Sequence, residues 1–175
     1  MSSTATEAVT GVPSRYQNTT GGAVDSAEGN FLFVECGAAL GATAHNWTTC
    51  LYTDQGGTTG VTLPSLTGNS SCIVNRLDHP TGQWFAPLAS GDTGIKALTQ
   101  MQCSASVTGT INFVIGHPIA FFPCPIANLI WVYDGINSAF NLTRIFDDAC
   151  LAFLEITKPA TGATTYTGTF DTVSG

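Results

Sequence analysis

Six cysteines, Cys36, Cys50, Cys72, Cys103, Cys124 and Cys150, and three histidines, His45, His79 and His117, are the side chains of this chain with the most chemistry to offer. A thiolate is a nucleophile and a soft metal ligand, and an imidazole moves protons or binds zinc. Spacing decides whether they do either. The cysteines are widely and irregularly separated, with no Cys-x-x-Cys pair, so neither a zinc ribbon nor a thioredoxin-type redox pair is signalled. Their even number leaves two fates open. As free thiols they are small buried hydrophobes; in an oxidising medium they become bridges within or between subunits. The histidines stand alone in sequence, two of them beside proline, and none has the i, i+4 partner or the glutamate of a zinc hydrolase. The expectation is no metal site and no cofactor.

The acidic residues say little more. Asp147 and Asp148 are adjacent, so in a strand they point to opposite faces and cannot work as a carboxylate pair. Ser90-Gly91-Asp92-Thr93-Gly94 lacks the further acids of a calcium loop and reads as a turn before a strand. No Gly-x-Ser-x-Gly elbow, phosphate-binding loop or Gly-x-Gly-x-x-Gly fingerprint occurs. With no nucleophile, base and orienting group to name, the chain reads as a protein without catalytic activity. The remaining candidates are large apolar anchors of a core or an interface: Trp47, Trp84, Phe121, Phe122 and Trp131.

The elements that would position these residues are strands. From residue 30 onward short β-type runs alternate with turn residues, the pattern of an all-β domain. Runs at 31–36, 47–52, 61–66, 72–77 and 83–88 are strand candidates, with Pro64 and Pro87 marking ends or edges. The longest, 95–107, is followed by Thr108-Gly109 and a run at 110–115, which predicts a β-hairpin. Period-two alternation in its first arm puts Lys96, Leu98, Gln100 and Gln102 on one face and Ile95, Ala97, Met101 and Cys103 on the other. Further strands are expected at 129–133, 148–156 and 164–173, with at most a short helical turn in 136–146. Residues 1–28, rich in Ser, Thr, Gly and Ala, cannot bury enough surface to fold alone. They read as a flexible or extended arm, either an idle tail or a segment that adds a strand to another sheet. Residues 29–175 then form one domain, a β-sandwich or jelly-roll-like fold.

Composition narrows the partners. Charged residues make up 10% of the chain, against about 25% in ordinary soluble domains, with 5 Lys and Arg, 12 Asp and Glu and a net charge of −7. So few cations disfavour direct contact with nucleic acid, whose backbone is gripped by several Lys or Arg. Residues 1–7 lack the basic and apolar parts of a secretory signal, and prolines at 118, 123 and 125 break the most apolar stretch, so no membrane span is expected. A surface wetted by Thr, Ser, Asn and Gly suits packing against neighbours, because desolvating an ion is costly. The plainer alternative is an acidic, Thr-rich β domain that works alone.

Several segments carry a resemblance: 90–98 leading into Cys103-Ser104-Ala105, 109–115, 142–151 and the terminal Gly168-Thr169-Phe170. In style and order they resemble virion structural proteins of tailed bacteriophages, of the capsid decoration or cement type. That resemblance implies a β-rich, homo-oligomeric protein made in the host cytoplasm, which clamps the major capsid protein or other virion subunits. Six cysteines are unusual for such proteins. A tail, neck or receptor-facing virion component is the nearest alternative. A carbohydrate-binding module stacking sugars on Trp47, Trp84 or Trp131 is another, from a different class.

Overall fold

The computed structural model describes residues 4–9, 27–80, 82–120, 130, 132 and 150–152. Their regular elements are all strands: β1 (Glu7–Ala8), β2 (Phe31–Ala38), β3 (Asn46–Asp54), β4 (Val61–Thr62), β5 (Leu66–Thr67), β6 (Ile95–Cys103) and β7 (Thr110–Gly116). The β-branched and aromatic content of the longer runs favours this conformation. Two antiparallel sheets result. One runs β1-β6-β3-β4, with β5 also on β3; the other is the pair β2-β7. The chain is therefore all-β over its described residues. Leu32, Val34 and Cys36 of β2 share one buried cluster with Trp47, Cys50 and Tyr52 of β3 and with Ile95, Leu98, Met101 and Cys103 of β6.

The expected hairpin does not form. Strand β6 pairs with β1 and β3, whereas β7 pairs with β2 in the other sheet. The reason lies at Cys103, where β6 stops: Ser104 N–H donates to the Asn46 carbonyl at 2.9 Å, and Ser104 Oγ accepts from Asn46 N–H at 2.8 Å. Residues 104–109 are left to carry the chain across to the second sheet. Gly109 makes the landing possible, with φ at +116° and the carbonyl oxygens of Ala39 and Ala38 at 2.6 and 2.9 Å from where a Cβ would sit.

Alternation along β6 also breaks. Tyr52 stands opposite Leu98 but Leu51 opposite Gln100, so Thr99 is an extra residue that shifts the phase. Leu98 is consequently buried with Ile95, Met101 and Cys103, not placed with Lys96 and Gln100 as the sequence pattern predicts. A second bulge lies on β3, between Thr48 and Leu51. There Thr49 adopts φ +49°, which resets the pattern so that Trp47, Cys50 and Tyr52 all face inward.

Two further expectations change. The run 61–66 is two short strands around Pro64, both laid along β3. The runs 72–77 and 83–88 are not strands. Left-handed residues at Ser71 and Asn75 interrupt regular pairing, yet the segment still lines β2, through Cys36 N–H to the Arg76 carbonyl, Asp78 N–H to the Val34 carbonyl and Ala86 N–H to the Leu32 carbonyl at 2.7–2.8 Å. Within residues 1–28, β1 pairs Glu7 with Met101 and Ala8 with Gln100, a short strand beside β6. Phe121, Phe122, Cys124, Trp131, Asp147 and Asp148 lie outside the described residues, as do residues 10–26 of the arm and most of the strands expected beyond residue 128; Ile130, Val132 and residues 150–152, which are described, are not in strands.

Candidate functional site

The densest polar chemistry of the described residues lies where the 68–80 segment crosses β2 and the start of β3. Asp78 is its centre and is fully buried. Its Oδ2 accepts from Trp47 Nε1–H at 2.7 Å and from His45 Nε2–H at 2.9 Å. Its Oδ1 accepts from the Asn69 backbone N–H at 2.6 Å. Charge-assisted bonds of this length compensate a carboxylate for lost water. Local sequence makes room for them. Gly68 follows β5 and donates its N–H to the His45 carbonyl, and any side chain at 68 would collide with the His45 ring.

The two histidines beside Asp78 are held differently. His45 Nε2 faces the Asp78 carboxylate at 2.9 Å and Nδ1 faces the Thr43 carbonyl at 3.1 Å. His79 Nε2 instead accepts from Val34 N–H at 3.0 Å, filling the place of a strand carbonyl on β2. That ring is neutral, with its proton on Nδ1, which is buried and has no hydrogen-bond partner among the described residues. Burial lowers the His79 pKa to about 4, an effect that nearby Asp78 only partly opposes.

Two thiols complete the cluster. Ligand atoms of Cys36, Cys72 and Asp78 lie within 4.8 Å of one another, and all three residues are buried. The Cys36 thiol is held well above its ordinary pKa by the hydrogen bond it shares with Cys72 and by burial, with Asp78 and Glu35 adding to the effect. Cys72 Sγ faces the carbonyls of Ile73, Arg76 and Leu77 at 3.7, 3.8 and 3.5 Å. The hydrogen bond with Cys36 holds the Cys72 thiol below its ordinary pKa, against burial and the Asp78 charge. The third possible ligand, Asp78, already serves three N–H donors. Cys50 and Cys103 are also buried. Burial raises the Cys50 thiol pKa, a Gln102 backbone bond partly offsets it, and Cys103 raises it further. Cys150 is exposed.

The far end of β3 holds a second aromatic and carboxylate pair. Tyr52 donates its hydroxyl to Asp92 and accepts from Ala89 N–H at 3.0 Å. Burial and the Asp92 bond push the Tyr52 pKa up to about 12. The 90–94 turn is held further by Gln55 Oε1, which accepts from Thr93 N–H at 3.1 Å and Gly94 N–H at 3.3 Å. Asp92 is thus a latch for a turn, as the sequence suggests. Asp54 anchors the next turn by accepting from Thr58 N–H at 2.8 Å; burial pushes its pKa up, but N–H donors from Thr58, Gly56 and Gly57 outweigh this and hold it below the usual value.

Among the described residues, His45, Trp47 and Cys103 line a small cavity. The cavity between Leu40, His45, Trp47, Cys103, Val107 and Ile111 measures about 10 Å³, room for no more than a water. Of the sequence candidates, Trp47 is a core anchor at 2% exposure, while Trp84 is 40% exposed. Cys36 and Cys72 are brought together. Asp78 was not singled out by motif, and the signal for it was modest: Leu77-Asp78-His79-Pro80 sets an acid beside a histidine and a proline. Comparison with protein-family models, curated proteins and solved structures finds no match to this chain.

Proposed function

We propose that this chain is a structural subunit of a phage particle, most simply a capsid decoration protein that binds the major capsid protein and copies of itself. The described sheets are read as the two layers of a β-sandwich, a reading supported by the shared burial of β2, β3 and β6 side chains. One observation carries the proposal. In a chain with 10% charged residues, the segment flanking β2 exposes Ile73, Val74 and Trp84 at 56, 48 and 40%. Exposed apolar side chains on a weakly charged surface are the composition of an interface core. The Asp78 cluster is buried and serves the fold, and the Asp92 cluster latches a turn.

The test is binding of the purified chain to purified phage heads that lack it, measured by cosedimentation. Saturable binding is expected, weakened at least tenfold by the double substitution Ile73→Asp and Val74→Asp. Absence of sedimentation with heads overturns the capsid reading. A second reading keeps one specific support: Trp84 is exposed enough to stack on a sugar, whereas Trp47 is not. Quenching of Trp84 fluorescence by an oligosaccharide, lost in Trp84→Ala, would favour a glycan-binding module.

A further inference from the structure

We infer that Cys36 and Cys72 form an intrachain disulfide that staples the 68–80 segment to β2. This is independent of the virion reading, since it rests only on the geometry of the cluster. The two sulfurs lie within 4.8 Å, and their backbones are already fixed against each other. Cys36 N–H donates to the Arg76 carbonyl, Asn75 N–H to the Cys36 carbonyl and Leu40 N–H to the Cys72 carbonyl, each at 2.8 Å. A disulfide would close the remaining gap between the sulfurs to about 2.05 Å.

The surroundings select a disulfide over the two other states. A metal ion would need Asp78 as its third ligand, but that carboxylate already accepts from His45, Trp47 and Asn69. A pair of free thiols is held at Cys72 only by long contacts to three carbonyls, at 3.5–3.8 Å. A disulfide is neutral, needs no donor and suits the same space. Cys50 is drawn elsewhere, its thiol donating to the Thr48 carbonyl at 3.2 Å.

The oxidant is a small-molecule disulfide. One protein thiolate attacks it, forming a mixed disulfide and expelling the first small thiolate. The second protein thiolate then attacks the protein sulfur of that mixed disulfide and expels the second small thiolate. Two protein S–H bonds are lost, one S–S bond is made, and the oxidant leaves as two thiols. Because both cysteines are buried, the exchange occurs during folding or local opening. The product closes the chain between residues 36 and 72 and pins the turn that carries exposed Ile73 and Val74.

The experiment refolds the full chain with oxidised glutathione, alkylates it in denaturant and cleaves it before aspartates. Cleavage at Asp25, Asp54 and Asp78 places Cys36 and Cys50 in one fragment and Cys72 in the next. Expected is a covalent link between these fragments, assigned to Cys36 by fragmentation, with Cys50 alkylated. In parallel, reductant should lower the melting temperature by roughly 10 °C and leave the double variant Cys36→Ala, Cys72→Ala unaffected. Alkylated Cys72, a bond from Cys72 to any other cysteine, or stoichiometric zinc retained by the native chain and lost in Cys36→Ser would each overturn the inference.

Discussion

Strand β3 (Asn46–Asp54) holds an aromatic side chain against a carboxylate near each end, and the two pairs live in different solvents. At Trp47 the partner is Asp78, fully buried, serving three N–H donors, one of them on the His45 ring. At Tyr52 the partner is Asp92, half-buried in a turn. Both pairs tie an irregular segment to the same strand. The difference is what happens when the tie is cut: water can replace a partner at Asp92 but cannot reach the groups around Asp78. The first pair therefore specifies the fold, and the second holds a turn onto it.

The largest test of that contrast removes each carboxylate. Asp78→Ala leaves the indole N–H, the His45 Nε2–H and the Asn69 N–H buried without an acceptor, a loss of about 3–5 kcal/mol. Asp92→Ala is expected to cost about 1 kcal/mol. Urea unfolding followed by tryptophan fluorescence measures both. Equal losses would break the distinction between the two ends.

The pH profile should separate the ends by sign. Folding lowers the His79 pKa from 6.5 to about 4, so the stability this neutral ring supports is complete above pH 6.5 and is lost as pH falls toward 4. At about 1.4 kcal/mol per unit this amounts to about 3 kcal/mol. Folding raises the Tyr52 pKa from 10 to about 12. Its contribution is present below pH 10 and is lost as pH rises toward 12. His79→Gln, whose amide oxygen can accept from Val34 N–H, should flatten the acid limb alone. If that variant keeps the full acid sensitivity, another group at the buried end is responsible.

Next in size is Tyr52→Phe. Removing the hydroxyl deprives Asp92 of its donor and Ala89 N–H of its acceptor, costing about 1–2 kcal/mol. The alkaline limb should disappear with it. Thermal melts at pH 7 and pH 11 check both effects, and a surviving alkaline limb would assign it to another residue.

What the sequence could show follows from what is local. Alternation and β-branched content located β2, β3, β6 and β7, because pleat periodicity is a property of each strand alone. It could not assign partners. The Thr108-Gly109 turn looked like a hairpin because nothing local reveals that Ser104 ends β6 on Asn46. Leu98 was placed on the wrong face for a similar reason: the bulge at Thr99 appears only in the register with β3. The site was less legible still. Asp78 lies 31 positions from Trp47 and 33 from His45, and each alone is an ordinary loop or strand residue. The cysteine pair was visible as types but not as a pair, since Cys36 and Cys72 meet only because the 72–77 segment gives up strand pairing to lie along β2.

The smallest effect has the opposite sign and lies midway between the two ends. Thr49 takes φ +49° at an exposed position, a region where a β-branched residue is strained and asparagine is tolerated. Its conformation makes the β3 bulge that lets Trp47 and Tyr52 face inward together, so the strain accompanies the arrangement of both ends. Thr49→Asn should keep the bulge, relieve the strain and raise stability by about 0.5–1 kcal/mol. Because the strained residue contacts neither carboxylate, the gain should be the same in Asp92→Ala as in the native chain. Chemical denaturation of the four proteins in that cycle measures it. A gain that vanishes in Asp92→Ala would mean that the bulge and the turn latch act as one unit.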